Sequence, residues 1–267
     1  MELIRTFIRR GRRWLRALFD AEYREKRRLQ QKERYRPGCT SLLEAPTRFV
    51  DAASFLSAYE AIFEDEIYQF EPEVSSPYII DGGANIGLAT LYWKNKIPEA
   101  RVTAFEPDPQ IFRVLEWNVQ NHDHEDVTLI RKGLWSEKTT LKFKPDGADA
   151  GHVPQKDSAN TTGHEVPVTQ LVPYLNERVD LLKLDIEGAE VDVLLDAAGH
   201  LRTVQNLFVE YHSYVGEEQR IDEVLRVLRS AGFRIHIQPE LVADQPFVQR
   251  FESYGMDHRL NIFAYRE

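Results

Sequence analysis

The sequence predicts an α/β fold, a mostly parallel sheet with helices on both faces and a helical extension at the N-terminus. Three observations predict it. From Pro77 onward, short apolar runs alternate with stretches of helical periodicity, the pattern of strands joined by crossover helices. The first run, Tyr78-Ile79-Ile80-Asp81, leads into Gly82-Gly83-Ala84-Asn85-Ile86-Gly87, a glycine turn between strand and helix. The 267 residues, 42% hydrophobic and 29% charged, suffice for one large domain, and no apolar run nears the roughly 18 residues of a membrane-spanning helix.

The elements follow in order. Residues 1–36 carry 13 Lys and Arg against 5 Asp and Glu, a net of +8, while the remaining 231 residues carry 21 against 38, a net of -17. A basic arm is therefore joined to an acidic body, which disfavours nucleic acid binding by the body and leaves the arm for an anionic partner. In the arm, Ile4, Phe7, Ile8, Leu15, Leu18 and Phe19 fall at helical spacing among Arg9, Arg10, Arg12, Arg13 and Arg16. Such a helix either lies on an anionic membrane surface or docks its apolar face on the body or on a second subunit. The arginines interrupt any signal-peptide core. A single cysteine, Cys39, excludes a disulfide framework within the chain, so a cytoplasmic protein, with or without peripheral membrane contact, is expected.

Pro37–Ser41 reads as a linker, and residues 37–76 as linker plus a helix over Ala52–Phe63, followed by Tyr68 and Phe70, placed to cap one edge of a site. Residues 77–267 form the main domain. Strands are expected at Tyr78–Asp81, Arg101–Glu106, Val127–Arg131, Asp180–Asp185, Asn206–Glu210, Phe233–Ile237 and Leu260–Ala264. Helices are expected at Ile86–Asn95, Pro109–Gln120, Ala189–Ala197 and Glu218–Ala231. Asp146–His164 and Pro239–Arg259 read as long loops of the kind that cover a ligand beside a parallel sheet.

The glycine turn is the first chemical signal. Glycine admits positive φ and close backbone approach by a ligand, and Asn85 is the non-glycine type that best tolerates the same geometry. Nineteen residues after Gly87 the second strand ends in Glu106, near the spacing of an acid that accepts hydrogen bonds from ribose hydroxyls. Together these point to an adenosine ligand at the carboxyl ends of the strands. Asp81, Glu106, Asp185 and Glu187 would share that edge with no Lys or Arg in the turn. A pyrophosphate would be repelled there, whereas the sulfonium and ammonium of S-adenosylmethionine would be favoured.

The fourth strand brings a second signal. In Leu182-Lys183-Leu184-Asp185-Ile186-Glu187, alternation puts Lys183, Asp185 and Glu187 on one face. Charges on a central strand are costly unless they pair or serve a ligand. Asp185 and Glu187 are placed to hold the donor's ammonium or to help deprotonate an acceptor, with Lys183 as counter-ion. After the fifth strand comes Glu210-Tyr211-His212. His212 has the reference pKa nearest neutrality and is the expected base, with Glu210 orienting its ring if the strand continues that far. The catalytic candidates are thus His212, Asp185 and Glu187.

DGGANIGLATLYW, AFEPDPQIFRVLEWNV and LLKLDIEGAEVDVLL, followed by Phe208-Val209-Glu210-Tyr211-His212, closely resemble the FkbM family of S-adenosylmethionine-dependent methyltransferases, over about Phe49 to Ile237. The resemblance implies a class I methyltransferase, Rossmann-like fold: a seven-stranded sheet of order 3-2-1-4-5-7-6 with the last strand antiparallel. It implies methyl transfer to a hydroxyl, commonly of a saccharide or secondary metabolite. It also implies that Asp81, Gly83 and Gly87, with Asn85 in the same turn, form the donor loop, that Glu106 binds ribose, that Gly133 and Leu134 border adenine, and that Asp185 and Glu187 lie at the reacting end.

Other readings are weaker. A nucleic-acid methyltransferase would use the basic arm, but base-amine methylation usually needs a Pro-Pro-aromatic turn where this chain has Ile186-Glu187-Gly188. An NAD-dependent oxidoreductase meets the repulsion described above. Asp185, Glu187 and Glu210 could offer oxygen ligands to a divalent metal, yet the chain lacks an adjacent aspartate pair after strand five, and no metal is expected. His122 and His124 fall in a polar turn and read as solvated surface. The expected partner is a small-molecule or glycan acceptor, not nucleic acid, with membrane contact or self-association through residues 1–36.

Overall fold

The computed structural model describes residues 20–143, 164–241, 243, 245–248 and 255–267. The arm helix expected over Ile4–Phe19 and most of the loop expected over Asp146–His164 lie outside them. Strands β3 (Tyr78–Gly82), β4 (Arg101–Phe105), β5 (Val127–Ile130), β9 (Val179–Leu184), β10 (Val204–Tyr214), β11 (Arg234–Leu241) and β12 (Met256–Tyr265) form one sheet in the order β11-β12-β10-β9-β3-β4-β5. Only β12 is antiparallel to its neighbours. Renumbered within the sheet, this is the order and polarity that the resemblance implied.

The continuous apolar runs are central because they are covered on both faces. All five residues of β3 and all six of β9 are buried. Helices α2 (Ala52–Tyr59), α3 (Leu88–Lys96) and α4 (Pro109–Asn121) build the core of one face, and α5 (Glu190–Ala197) and α6 (Ile221–Ser230) that of the other. The helices begin where side-chain caps dictate. Asp108 accepts from the amides of Gln110 and Ile111, with Pro109 in the first turn where no amide is needed, and Asp51 caps Ser54 in the same way.

Several expectations are corrected. The Pro37–Ser41 stretch is no open linker: β1 (Gly38–Thr40) pairs with β2 (Thr47–Phe49), and the hairpin is fastened to α4 through Asn118 and His122. His122 is half-buried against Thr47 rather than solvated, with His124 beside it. The Ala52–Phe63 helix is α only to Tyr59, then widens into a π turn over Glu60–Glu64. Gly133–Leu134 (β6), Thr140–Phe143 (β7) and His164–Thr169 (β8) make a separate three-stranded sheet. The Pro239–Arg259 loop is shorter than expected at both ends, since β11 runs through Leu241 and β12 starts at Met256.

The second half of the basic arm docks on the body. Helix α1 (Ala21–Leu29) buries Leu29, Lys26 pairs with Glu22 and Glu64, and Arg34 pairs with the cap residue Asp51. Among the described residues no helix is long and apolar enough to cross a membrane.

Candidate active site

The donor loop is shaped by contact with the end of β9. Gly83 has φ +78°, and a Cβ built there would lie 1.8 Å from the carbonyl oxygen of Asp185. Only glycine fits. Asn85 (φ 49°) and Gly87 (φ 93°) complete a turn of three left-handed residues before α3. The amides of Gly83 and Ala84 donate to the Phe105 carbonyl at 3.1 and 2.8 Å, tying the loop to β4.

Glu106 follows β4 directly. Its two oxygens accept from the amides of Asn85 (3.0 Å) and Asp108 (2.8 Å), so the acid fixes the loop as well as facing it. Burial pushes its carboxyl up to about 8, against the two amide bonds that favour the charge. Gly133 and Leu134 sit beside it: Gly133 lies against Pro107, and Leu134 against Gly82.

Asp81 is fully buried and turned inward. It accepts from Thr90 Oγ1 at 2.8 Å and faces Lys183 Nζ at 3.2 Å. Lys183 donates to the carbonyl of Gly83 at 2.8 Å and reaches Asp185 at 3.4 Å. Burial opposes its charge, but Asp81 and Asp185 prevail and the ammonium is held up to about 12. Of the group, Asp185 is the one whose side chain is open, 25% exposed. Tyr68 is half-buried beside these charges, edge-on to Phe208 and with Lys183 Nζ 5.7 Å from its ring. The opposite wall of the pocket in front of Gly83, Asn85, Lys183 and Asp185 comes from Ser54, Phe55 and Ala58 of α2 and Ile62 of the turn after it. Those wall residues carry no sequence signal beyond an apolar helical stripe.

Strand β10 continues through His212, so the condition attached to that residue is met. Glu210 and His212 lie on one face, cross-strand from Asn261 and Arg259. The orienting group, however, is Glu190 and not Glu210. Glu190 Oε1 lies 3.0 Å from His212 Nδ1, while the Glu190 carboxylate also accepts from the amides of Ile186 and Gly188 at 3.1 Å. His212 Nε2 lies 3.4 Å from both Glu187 and Glu210, is buried, and makes no hydrogen bond. Burial alone would neutralise the imidazole, but Glu187 and Glu190 outweigh it and raise its pKa well above the ordinary value. The surrounding carboxylates thus favour the charged form of the imidazole. The carboxyls respond in turn. Burial, partly countered by His212, pushes Glu187 up to about 8, and burial with Asp185 pushes Glu210 up to about 7. Tyr214 stacks on the imidazole and reaches Glu187 with its hydroxyl.

A glycine loop against the first strand, an acid ending the second, and an acidic cluster after the fourth and fifth make a recognisable set. Residues 81–235, over half the chain, match the methyltransferase FkbM domain family. The chain belongs to the FkbM methyltransferase family. It is similar to Methyltransferase 1 of Beauveria bassiana, 32% identical over 67% of this chain and 81% of that protein. It is also similar to the hexuronic acid methyltransferase AglP of Haloferax volcanii, 31% identical over 63% of this chain and 67% of the relative. Among solved structures, Trm5b of Pyrococcus abyssi superposes with TM-score 0.50 at 9% identity, over 88% of this chain and 56% of Trm5b, a likeness of fold alone. This methyltransferase carries its loop, its acid and its cluster within or close to the matched span, whereas the α2 wall comes from residues before it.

Proposed function

We propose that this methyltransferase takes its methyl group from S-adenosylmethionine and transfers it to a hydroxyl of a saccharide or secondary metabolite. One observation carries the choice of donor. The cation at the pocket, Lys183, is committed to Asp81, Asp185 and the loop carbonyls, leaving Asp185 as the carboxylate that lines the space in front of Gly83, with Glu187 two residues further on beside His212. That rim suits a cationic ligand and repels a pyrophosphate. The loop, pressed by Gly83 against the end of β9, lines the pocket together with Asn85 and Asp185, with Glu106 toward ribose and Asp185 toward the methionine end.

When bound, S-adenosylmethionine supplies a methyl group on a sulfonium, whose charge also favours the carboxylate forms around it. The chain must then align an acceptor oxygen and receive its proton. Glu187 and Glu210 suit that task better than His212, because burial brings their carboxyls up to about 8 and about 7 while the surrounding carboxylates favour the charged imidazole. His212, anchored by Glu190, holds the two carboxylates in place. A saccharide acceptor accords with the relative named as a hexuronic acid methyltransferase.

Calorimetry tests the donor: S-adenosylhomocysteine should bind and NAD should not. Incubation with isotope-labelled S-adenosylmethionine and a cell-envelope glycan pool, read by mass spectrometry, tests the acceptor. Binding of NAD in preference to S-adenosylhomocysteine would overturn the reading.

A further inference from the structure

Donor atoms of Asp185, Glu187 and His212 converge within 4.8 Å of one another at the floor of this site. Two of these side chains come from the segment after β9 and the third from β10, so the sheet itself sets their approach. The third ligand atom is the informative one. His212 Nε2 is buried, points between Glu187 and Glu210, and hydrogen-bonds to neither. A buried polar atom with no hydrogen bond costs about 1–3 kcal/mol, and the two carboxylates that face Nε2 at 3.4 Å are themselves oxygen donors, so the space between them suits a bound cation. The other ring nitrogen is held by the Glu190 carboxylate at 3.0 Å, the arrangement that fixes the ring of a metal-ligating histidine and raises its basicity.

We propose that Asp185, Glu187 and His212 bind a divalent cation of the Mn2+ or Zn2+ class. One imidazole nitrogen with two carboxylate oxygens is a mixed donor set suited to a borderline first-row ion rather than to Ca2+, which takes oxygen alone. Bonds of about 2.0–2.2 Å put neighbouring ligand atoms roughly 2.8–3.6 Å apart at octahedral or tetrahedral angles, so the widest of the three separations closes by up to about 1–2 Å. Glu187, on a left-handed turn residue whose side chain is 15% exposed, has room to do so. The ion binds the Nε2 lone pair of the neutral ring, and any proton there leaves to solvent. Three protein ligands leave positions open, and, resting on the methyl-transfer reading, one of these would take the acceptor oxygen, with Glu210 outside the ligand set and free to receive its proton.

The probe is Mn2+ added to the full-length, metal-free protein and followed by electron paramagnetic resonance. One equivalent should bind, and electron spin echo modulation should show one coordinated imidazole nitrogen. His212→Ala should abolish the nitrogen signal and weaken binding at least 100-fold, and Glu187→Gln should weaken it at least 10-fold, with thermal unfolding as the check on folding. The nitrogen signal decides on the wild-type protein even if a variant fails to fold. No stoichiometric binding at millimolar Mn2+, binding without nitrogen modulation, or affinity unchanged in both variants would overturn the site. Titration of the same metal-free sample with S-adenosylhomocysteine reports separately on the donor reading, so failure of one does not imply failure of the other.

Discussion

Replacing Gly83 by Ala tests how the donor loop is held. The added Cβ would sit 1.8 Å from the Asp185 carbonyl oxygen. An ordinary C···O contact is about 3.3 Å, so loop and strand end must separate by roughly 1.5 Å. Neither side can yield freely. The Asp185 amide donates to the Gly82 carbonyl at 3.1 Å, and Gly83 and Ala84 are both tied to Phe105. Losing two or three such bonds at about 0.5–1.5 kcal/mol each, plus about 1–2 kcal/mol for an L-residue at φ +78°, gives roughly 2–6.5 kcal/mol. Urea unfolding should show that loss, and calorimetry should show S-adenosylhomocysteine binding weakened more than 100-fold. Gly199→Ala is the control: its Cβ would meet nothing within 4 Å, and stability should shift by less than about 0.5 kcal/mol. A Gly83→Ala protein within about 1 kcal/mol of wild type, with unchanged donor affinity, would refute the close approach.

Three further outcomes are expected. Glu106 is neutral in the fold up to about pH 8 but ionises near 4.5 when unfolded, so folding takes up a proton between those values and stability falls as pH rises through that window. Thermal midpoints from pH 5 to 9 should therefore decline more steeply for wild type than for Glu106→Gln, by an amount of order a few kcal/mol, and parallel curves would remove the assignment. Lys183→Met leaves Asp81 buried without its counter-ion and should cost about 3–5 kcal/mol in chemical denaturation, whereas a loss under 1 kcal/mol would show the pair to be dispensable. Glu190→Gln should lower kcat about 10- to 100-fold with donor affinity nearly unchanged, because it touches the imidazole and not the donor loop; an equal effect on both would mark it as merely structural.

The parts of this fold legible in the sequence are those that burial dictates. Tyr78–Gly82 and Val179–Leu184 are apolar throughout because both faces are covered, and Gly83 is glycine because a backbone carbonyl occupies the space of its Cβ. Short strands that owe their existence to a partner were not legible. Gly38–Thr40 has turn composition and becomes a strand through its pairing with Thr47–Phe49, and β6 and β8 likewise lean on each other across some thirty residues. The strand end at Glu210 was misjudged for the same reason: β10 continues because β12 pairs with it as far as Tyr214.

Glu190 shows the same limit at the level of chemistry. An acidic residue in the first turn of a helix is an ordinary match to the helix dipole, and nothing in its spacing points to a histidine 22 residues away. The signal lay in the backbone before it. Glu187 and Gly188 are both left-handed, and a turn of that shape leaves amides that need an acceptor. Glu190 supplies it for Ile186 and Gly188, and the carboxylate so fixed is what His212 meets when β10 runs on beneath it. The loop's own hydrogen-bond requirement thereby becomes the anchor of the imidazole. It follows that the aim of His212 depends on the Glu187–Gly188 turn as much as on its own strand, which is why the reacting end of the site could be located from sequence while the partner of each group in it could not.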